Sequence, residues 1–195
     1  RFRIMGFVPV NFNERINQGN KTSKSGIGDV AVIGYYKLFD DSKTTHEKLL
    51  VQSLWLGAGI KLPTGKYDPA DKNISQSTQN TFQLGTASID FTLNAMYDVR
   101  LQDAGININA GYKINTANKY DYQYGNKFTL SSQLYYKFKI ANKLSVVPNA
   151  GILFENSEKD YDNKEVVDIS GGKLTMSSIG VETSYKKIAI GFEKV

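Results

Sequence analysis

From Ala87 to Val99 the chain alternates almost without a break. Ala87, Ile89, Phe91, Leu93, Ala95, Tyr97 and Val99 take one parity, and Ser88, Asp90, Thr92, Asn94, Met96 and Asp98 the other. Successive side chains of an extended strand point to opposite faces, so such a run presents one apolar and one polar surface. Three more runs repeat the pattern over 104–115, 126–140 and 144–155, and weaker ones cover about 1–11, 26–39, 48–62, 173–185 and 187–194. Nine strands are therefore expected and no helix. Most are about 10–14 residues long. Ordinary strands average roughly 5–6 residues, whereas a tilted strand crossing a bilayer needs about 9–11.

The apolar faces at 2–10, 28–38, 87–99, 106–114, 128–140 and 144–154 carry no charge. A Lys or Arg on such a face at a bilayer midplane would cost about 2–4 kcal/mol. A soluble barrel or sandwich also alternates, with its apolar side turned inward, but strand length and the uncharged faces favour lipid. The expected fold is an all-β, antiparallel up-and-down transmembrane β-barrel. Tyr36-Lys37, Tyr97-Asp98, Tyr136-Lys137 and Tyr185-Lys186 each close an alternating run, as an aromatic girdle at a membrane–water boundary requires. Long polar connections near 12–25, 63–81, 115–125 and 156–172 alternate with tighter ones near 40–47, 100–103, 141–143 and 186–187. In outer-membrane barrels the long loops face outward and the short turns the periplasm. That polarity puts Phe82, Phe128 and Phe154 at the outer rim on the lipid side.

The polar parity nominates the residues that line a hydrated interior: Asp29, Lys37, Asp90, Asn94, Asn107, Asn109, Lys113, Gln133, Lys137, Asn149, Glu155 and Glu182. Both signs of charge are interspersed, so the ionised groups can pair across the interior.

At 195 residues the chain is expected to be one domain, 1–195. It opens and stops inside alternating runs, so a barrel truncated at both ends is expected. Bacterial single-chain barrels have even strand counts, which suggests about 12 in the intact protein. The absence of cysteine removes disulfide scaffolds and thiolate chemistry. The only histidine, His46, falls in a polar turn away from any cluster, which leaves no general base for hydrolysis. No enzymatic role and no cofactor are expected. Asp68, Asp71 and Asn73, and Asp160, Asp162 and Asn163, are oxygen donors without the EF-hand spacing, so no metal is assigned. The net charge is +5, but the lysines form no basic block, which argues against nucleic acid.

Three motifs fall in order: Ser25-Gly26-Ile27-Gly28-Asp29, then Gly57-Ala58-Gly59-Ile60-Lys61-Leu62-Pro63-Thr64-Gly65, then Gln83-Leu84-Gly85-Thr86-Ala87-Ser88 with Asp90. Together they resemble the outer-membrane barrel family labelled as the MetA pathway of phenol degradation, whose usual third segment is G-T-G-S. Ala87 stands where that pattern has glycine. Taken singly, the motif glycines relieve crowding at strand ends, and Pro63 ends strand pairing because it lacks an N–H. The resemblance implies residence in the cell outer membrane and a transporter-like role for small organic solutes. The partners expected are outer-membrane lipid, a small organic solute and other outer-membrane proteins. The alternative is a non-transporting structural or accessory barrel in a larger complex, its interior filled by long side chains.

Overall fold

The computed structural model describes residues 1–17, 20–45, 48–71, 80, 82–141, 143–186 and 188–194. Its strands are β1 (Phe2–Phe7), β2 (Val10–Asn17), β3 (Asn20–Ile27), β4 (Val30–Thr45), β5 (Lys48–Leu62), β6 (Asp90–Leu101), β7 (Ala104–Ile114), β8 (Tyr122–Gln123), β9 (Lys127–Tyr136), β10 (Phe138–Ala141), β11 (Leu144–Ser157), β12 (Tyr161–Asp162), β13 (Glu165–Val166), β14 (Gly172–Tyr185) and β15 (Ile188–Lys194). Among the described residues one short 3-10 turn, Pro69–Asp71, is the sole helical element.

A ten-stranded antiparallel sheet runs β1-β4-β5-β6-β7-β9-β11-β14-β15, with β10 beside β11. β10 continues the register of β9: Tyr135 faces Asn149, and Phe138 faces Val146. The break between them falls opposite Pro148, which has no N–H to give the ladder. Since β9 and β10 share one line, the ten strands form nine staves, laid down in chain order. Among the described residues β1 pairs with β4 alone and β15 with β14 alone, so both edges of the sheet are open.

Three sequence expectations are corrected. Segment 12–25 is a paired hairpin, β2 against β3, rather than an open loop. The run begun at residue 1 breaks at Val8-Pro9, and Gly28 N donates to Pro9 O at 2.8 Å, so the hairpin bends while staying bonded to the sheet. Pairing of β4 with β5 continues to Thr45 and Lys48, so most of the expected turn 40–47 is ladder. His46 lies outside the described residues.

Register fixes which side chains share a face. Lys61 faces both Ala31 and Asp90, Thr92 faces Lys113, Lys113 faces Lys127, and Lys127 faces Ser157. Of the twelve residues nominated for the interior, the ten that lie in strands, all but Asp29 and Lys137, share the face to which these belong. On the opposite face, Phe2 is 82 % exposed, Leu134 61 %, Ile152 55 % and Leu93 54 %. Among the described residues the buried apolar side chains are Tyr35, Phe82 and Tyr122, while Lys61, Asn80, Ser88, Asp90, Asn115, Asn118, Ser145, Asp160 and Ser170 are all buried. The sorting is the reverse of a water-soluble core, where apolar groups are enclosed and charges stay outside.

Tyr36, Tyr97, Tyr136 and Tyr185 all project from the apolar face. Beyond the irregularity between Lys37 and Phe39, Asp41 and Lys43 point from that face, opposite Gln52 and Leu50. The apolar face of β4 therefore ends at this irregularity, while Gln52 and Leu50 of β5 are still paired with Val99 and Leu101 of β6.

Candidate functional site

The three motifs meet at the end of the sheet that carries the long connections. Asp29 sits in the two-residue link between β3 and β4, aimed at the stretch that follows β5. Its Oδ1 accepts from Gly65 N at 2.9 Å, and its Oδ2 accepts from Lys61 Nζ at 2.7 Å and from Thr86 N and Thr86 Oγ1 at 2.8 Å each. Lys61 also bonds Thr86 Oγ1 and pairs with Asp90 at 2.8 Å. Asp90 is fully buried, accepts from Ser88 Oγ at 2.9 Å, and has Lys113 3.4 Å away. Two carboxylates and two ammoniums thus neutralise one another, with Asp29, Lys61 and Asp90 withdrawn from solvent and Lys113 partly exposed, the pairing that lets buried charge be tolerated.

Backbone contacts complete this latch. Thr64 Oγ1 donates to Gly28 O at 3.0 Å and accepts from Val30 N at 2.8 Å. Gly85 N donates to Lys66 O at 3.1 Å. A Cβ on Gly65 would stand 2.7 Å from Gly85 Cα and 2.9 Å from Gly28 C, so Gly65 packs against a glycine of each of the other two motifs. Ala87 adopts φ 56°, a left-handed conformation that costs a residue with a Cβ about 1–2 kcal/mol. That explains the glycine of the usual pattern. It also shortens the expected strand 87–99: Ala87 to Ile89 turn within the latch and pairing begins at Asp90.

Burial pushes the Asp29 carboxyl up, but the Lys61 ammonium, the Thr86 and Gly65 amides and the Thr86 hydroxyl outweigh it, holding the carboxyl below its ordinary value.

Around the latch the long connections fold on one another. Asn11 Nδ2 and Asn13 Nδ2 of β2 donate to Leu84 O at 2.9 Å and Gln83 O at 3.0 Å. Phe82 lies buried beneath the hairpin, with the Arg15 guanidinium 4.2 Å and the Lys24 ammonium 5.2 Å from its ring centre. The expectation of a lipid-side Phe82 is therefore corrected, whereas Phe128 and Phe154 lie on the apolar face.

Asn118 Nδ2 donates to Thr86 O at 2.9 Å, and Tyr67 stacks on Tyr120 at 5.3 Å. Segments 115–125 and 156–172 are joined by the small sheet β13-β12-β8. There Tyr122 Oη donates to Asp160 Oδ2 at 2.6 Å, and Gly125 N donates to Asp160 Oδ1 at 2.8 Å. Burial and the Asp160 carboxylate push the Tyr122 phenol up.

Of the other oxygen donors, Asp68 accepts from Ala70 N at 3.0 Å and Asp71 pairs with Lys24. Asn163 donates to Asp162 at 2.9 Å. Asn73 lies outside the described residues.

Eight of the nominated residues border two recesses on the polar face. Asn94, Asn109 and Lys113 border a recess of about 370 Å³ with Tyr35, Thr92 and Lys127. Asn107, Gln133, Lys137, Asn149 and Glu182 border another of about 360 Å³ with Asp98 and Arg100. Gln133 donates to Asn149 at 2.9 Å, Glu155 pairs with Lys127 at 2.9 Å, and Lys37 pairs with Asp40. The Lys37 ammonium also lies 4.9 Å from the Trp55 ring centre, as does the Arg3 guanidinium at 4.5 Å.

Residues 5–186 match the model of a family described as "Putative MetA-pathway of phenol degradation". The chain belongs to this family. The match spans all three motifs, so the latch is built from the segments that carry the family resemblance in sequence. No curated protein matches the chain.

Proposed function

We propose that this chain forms the wall of a β-barrel in the cell outer membrane that passes small organic solutes passively. In this reading the apolar face meets lipid and the polar face surrounds a hydrated lumen. The observation that carries it is the inverted sorting of side chains. Enclosing one Leu, Ile or Phe is worth about 1.5–3 kcal/mol, and Phe2, Ile4, Leu93, Leu134, Ile152, Ile179, Ile190 and Phe192 all lie exposed on the apolar face. Hydrocarbon supplies that cover without asking for another protein layer.

The four tyrosines then sit at one headgroup boundary. The open edges of β1 and β15 call for closure. Since nine staves cannot make the usual even count, further strands bringing the total to about 12 fit the proposal. The two recesses on the polar face supply room for a small solute. The family description, with its reference to phenol degradation, favours an organic one.

In this reading the latch, which holds the segment after β5 at the long-loop end, lies at the lumen entrance. The closely packed Arg3, Lys37 and Trp55 give specific support to a second reading, an accessory barrel with a filled lumen, held beside other outer-membrane proteins.

Planar-bilayer conductance and liposome swelling by the full-length protein separate the two. The transport reading expects a steady conductance that rises when Asp29→Ala opens the latch. Silence from both proteins, together with stoichiometric partners after mild-detergent purification, would replace it with the accessory reading.

A further inference from the structure

At the opposite end of the sheet, the short turns gather positive charge around a recess of about 620 Å³. Lys137, Lys139, Lys143 and Lys186 line it, with Ser145 and Ser184 between them. Strand register brings these residues together from three staves. Lys139 faces Ser145, Ser145 faces Ser184, and Lys186 N donates to Lys143 O at 3.0 Å, tying one turn to the next. Lys139 is balanced by Asp103 at 2.9 Å and the Lys186 ammonium lies 5.3 Å from the Tyr185 ring centre, but among the described residues no carboxylate lines the recess.

The floor is equally specific. Ser145 is buried, and its hydroxyl lies 2.6 Å from that of Ser184. One hydroxyl of such a pair donates to the other, which leaves the second O–H to donate elsewhere. Crowded ammoniums repel one another, and a fold that keeps them around a recess gains when an anion enters. Three ammoniums without a carboxylate partner among the described residues, with a hydroxyl donor, suit a group with several charged oxygens better than a single carboxylate.

We infer that this recess binds a phosphate group, presented either by a free phosphorylated solute or by the headgroup of an anionic lipid. Ile140, which also lines the recess, and Ile188 beyond the next turn are both exposed, within reach of the acyl chains of such a lipid. The inference is independent of whether the protein conducts.

The test uses the full-length protein in a detergent that contains no phosphorus. Phosphorus NMR titration follows inorganic phosphate, and native mass spectrometry counts retained phosphatidylglycerol. The triple variant Lys137→Gln, Lys143→Gln, Lys186→Asn removes the unbalanced ammoniums. Lys186 has φ 54°, a conformation asparagine tolerates, and Lys164→Asn at φ 68° in the distant β12–β13 turn is the matched control.

Removing one charge-assisted hydrogen bond weakens binding about tenfold. Binding in the triple variant is therefore expected to fall by at least that factor, while the control keeps wild-type binding and both keep the wild-type melting profile. Loss of inorganic phosphate binding assigns a free solute, and loss of phosphatidylglycerol alone assigns the lipid; either supports the site. Absence of both ligands from the wild-type protein, or their undiminished binding to the folded triple variant, overturns it.

Discussion

Replacing Asp29 by alanine removes four hydrogen bonds at once: those from Lys61, Gly65 N, Thr86 N and Thr86 Oγ1. Breaking one side of a buried charge network costs about 3–5 kcal/mol. The lower end applies here, because Lys61 keeps its pairing with Asp90 at 2.8 Å. The loss is local, since Asp29 belongs to a link and the ladder registers of β4, β5 and β6 do not depend on it. A penalty of about 3 kcal/mol raises the open population of the latch about a hundredfold.

Hydrogen exchange read by mass spectrometry on the detergent-solubilised protein measures this directly. Peptides carrying Gly65 and Thr86 are expected to exchange about a hundredfold faster in Asp29→Ala, while peptides from β7 and β9 keep their protection. Asp29→Asn, which retains an acceptor oxygen but loses the charge, should fall between. Unchanged exchange at Gly65 and Thr86 would refute the reasoning. Uniform loosening of the whole sheet would show that Asp29 supports the staves rather than a latch.

The pH dependence follows from the same carboxyl. Its folded pKa lies below the unfolded one, so its stabilisation is complete above the unfolded value of about 3.9 and is lost as pH falls through the folded value. Latch protection in the wild-type protein is thus expected to hold at neutral pH and collapse only in strong acid.

Four further outcomes are expected. Gly65→Val should reproduce the exchange of Asp29→Ala, because its Cβ would press on Gly85 Cα at 2.7 Å with backbone on both sides. Ala87→Gly should stabilise the protein by about 1 kcal/mol, by relieving the left-handed φ of 56°, and urea unfolding into vesicles can measure it. Tyr122 has its phenol pushed up by burial and Asp160. It contributes stability below the unfolded tyrosine value of about 10 that fades as pH rises beyond it, so protection of 115–125 relative to its intrinsic exchange rate should fall in alkali, with tyrosinate absorbance appearing late. Leu134→Lys should cost about 2–4 kcal/mol of folding free energy in lipid, while Gln133→Lys, one residue away on the polar face, should cost little.

The staves were legible in sequence where one parity stays apolar and uncharged, most clearly over 87–99, 106–114, 128–140 and 144–154. In β6 and β7 alternation places every side chain on its observed face. It failed where the pattern is weak or misleading. In β2, Val10, Phe12 and Ile16 do alternate, but the partner strand Asn20–Ile27 offers Lys21, Ser23 and Ser25 on the same face, so the hairpin passed for a polar loop. Residues Asp40 to Thr44 extend the β4–β5 ladder with polar side chains on both faces, which leaves no period to detect. The break before Phe138 arises from Pro148 on the neighbouring strand, information that the sequence of β9 does not hold.

The latch was half legible. Its residues stood out as motifs, and the parity of Lys61 and Asp90 was readable. That Asp29 would reach across to Gly65 and Thr86, 36 and 57 positions along the chain, is tertiary information. Phe82 misled for the opposite reason: an aromatic near a strand end reads as a girdle residue, and only the folded hairpin shows it held between Arg15 and Lys24.

Whether hydrocarbon or protein covers the apolar face is decided by fluorescence quenching with brominated lipids. Single tryptophans at Phe91, Leu134 and Ile152, introduced with Trp55 replaced by Phe, should be strongly quenched in bilayers, and tryptophans at Asn94, Asn109 and Gln133 should not. Equal quenching of both sets, or stronger quenching of the second, would contradict the account.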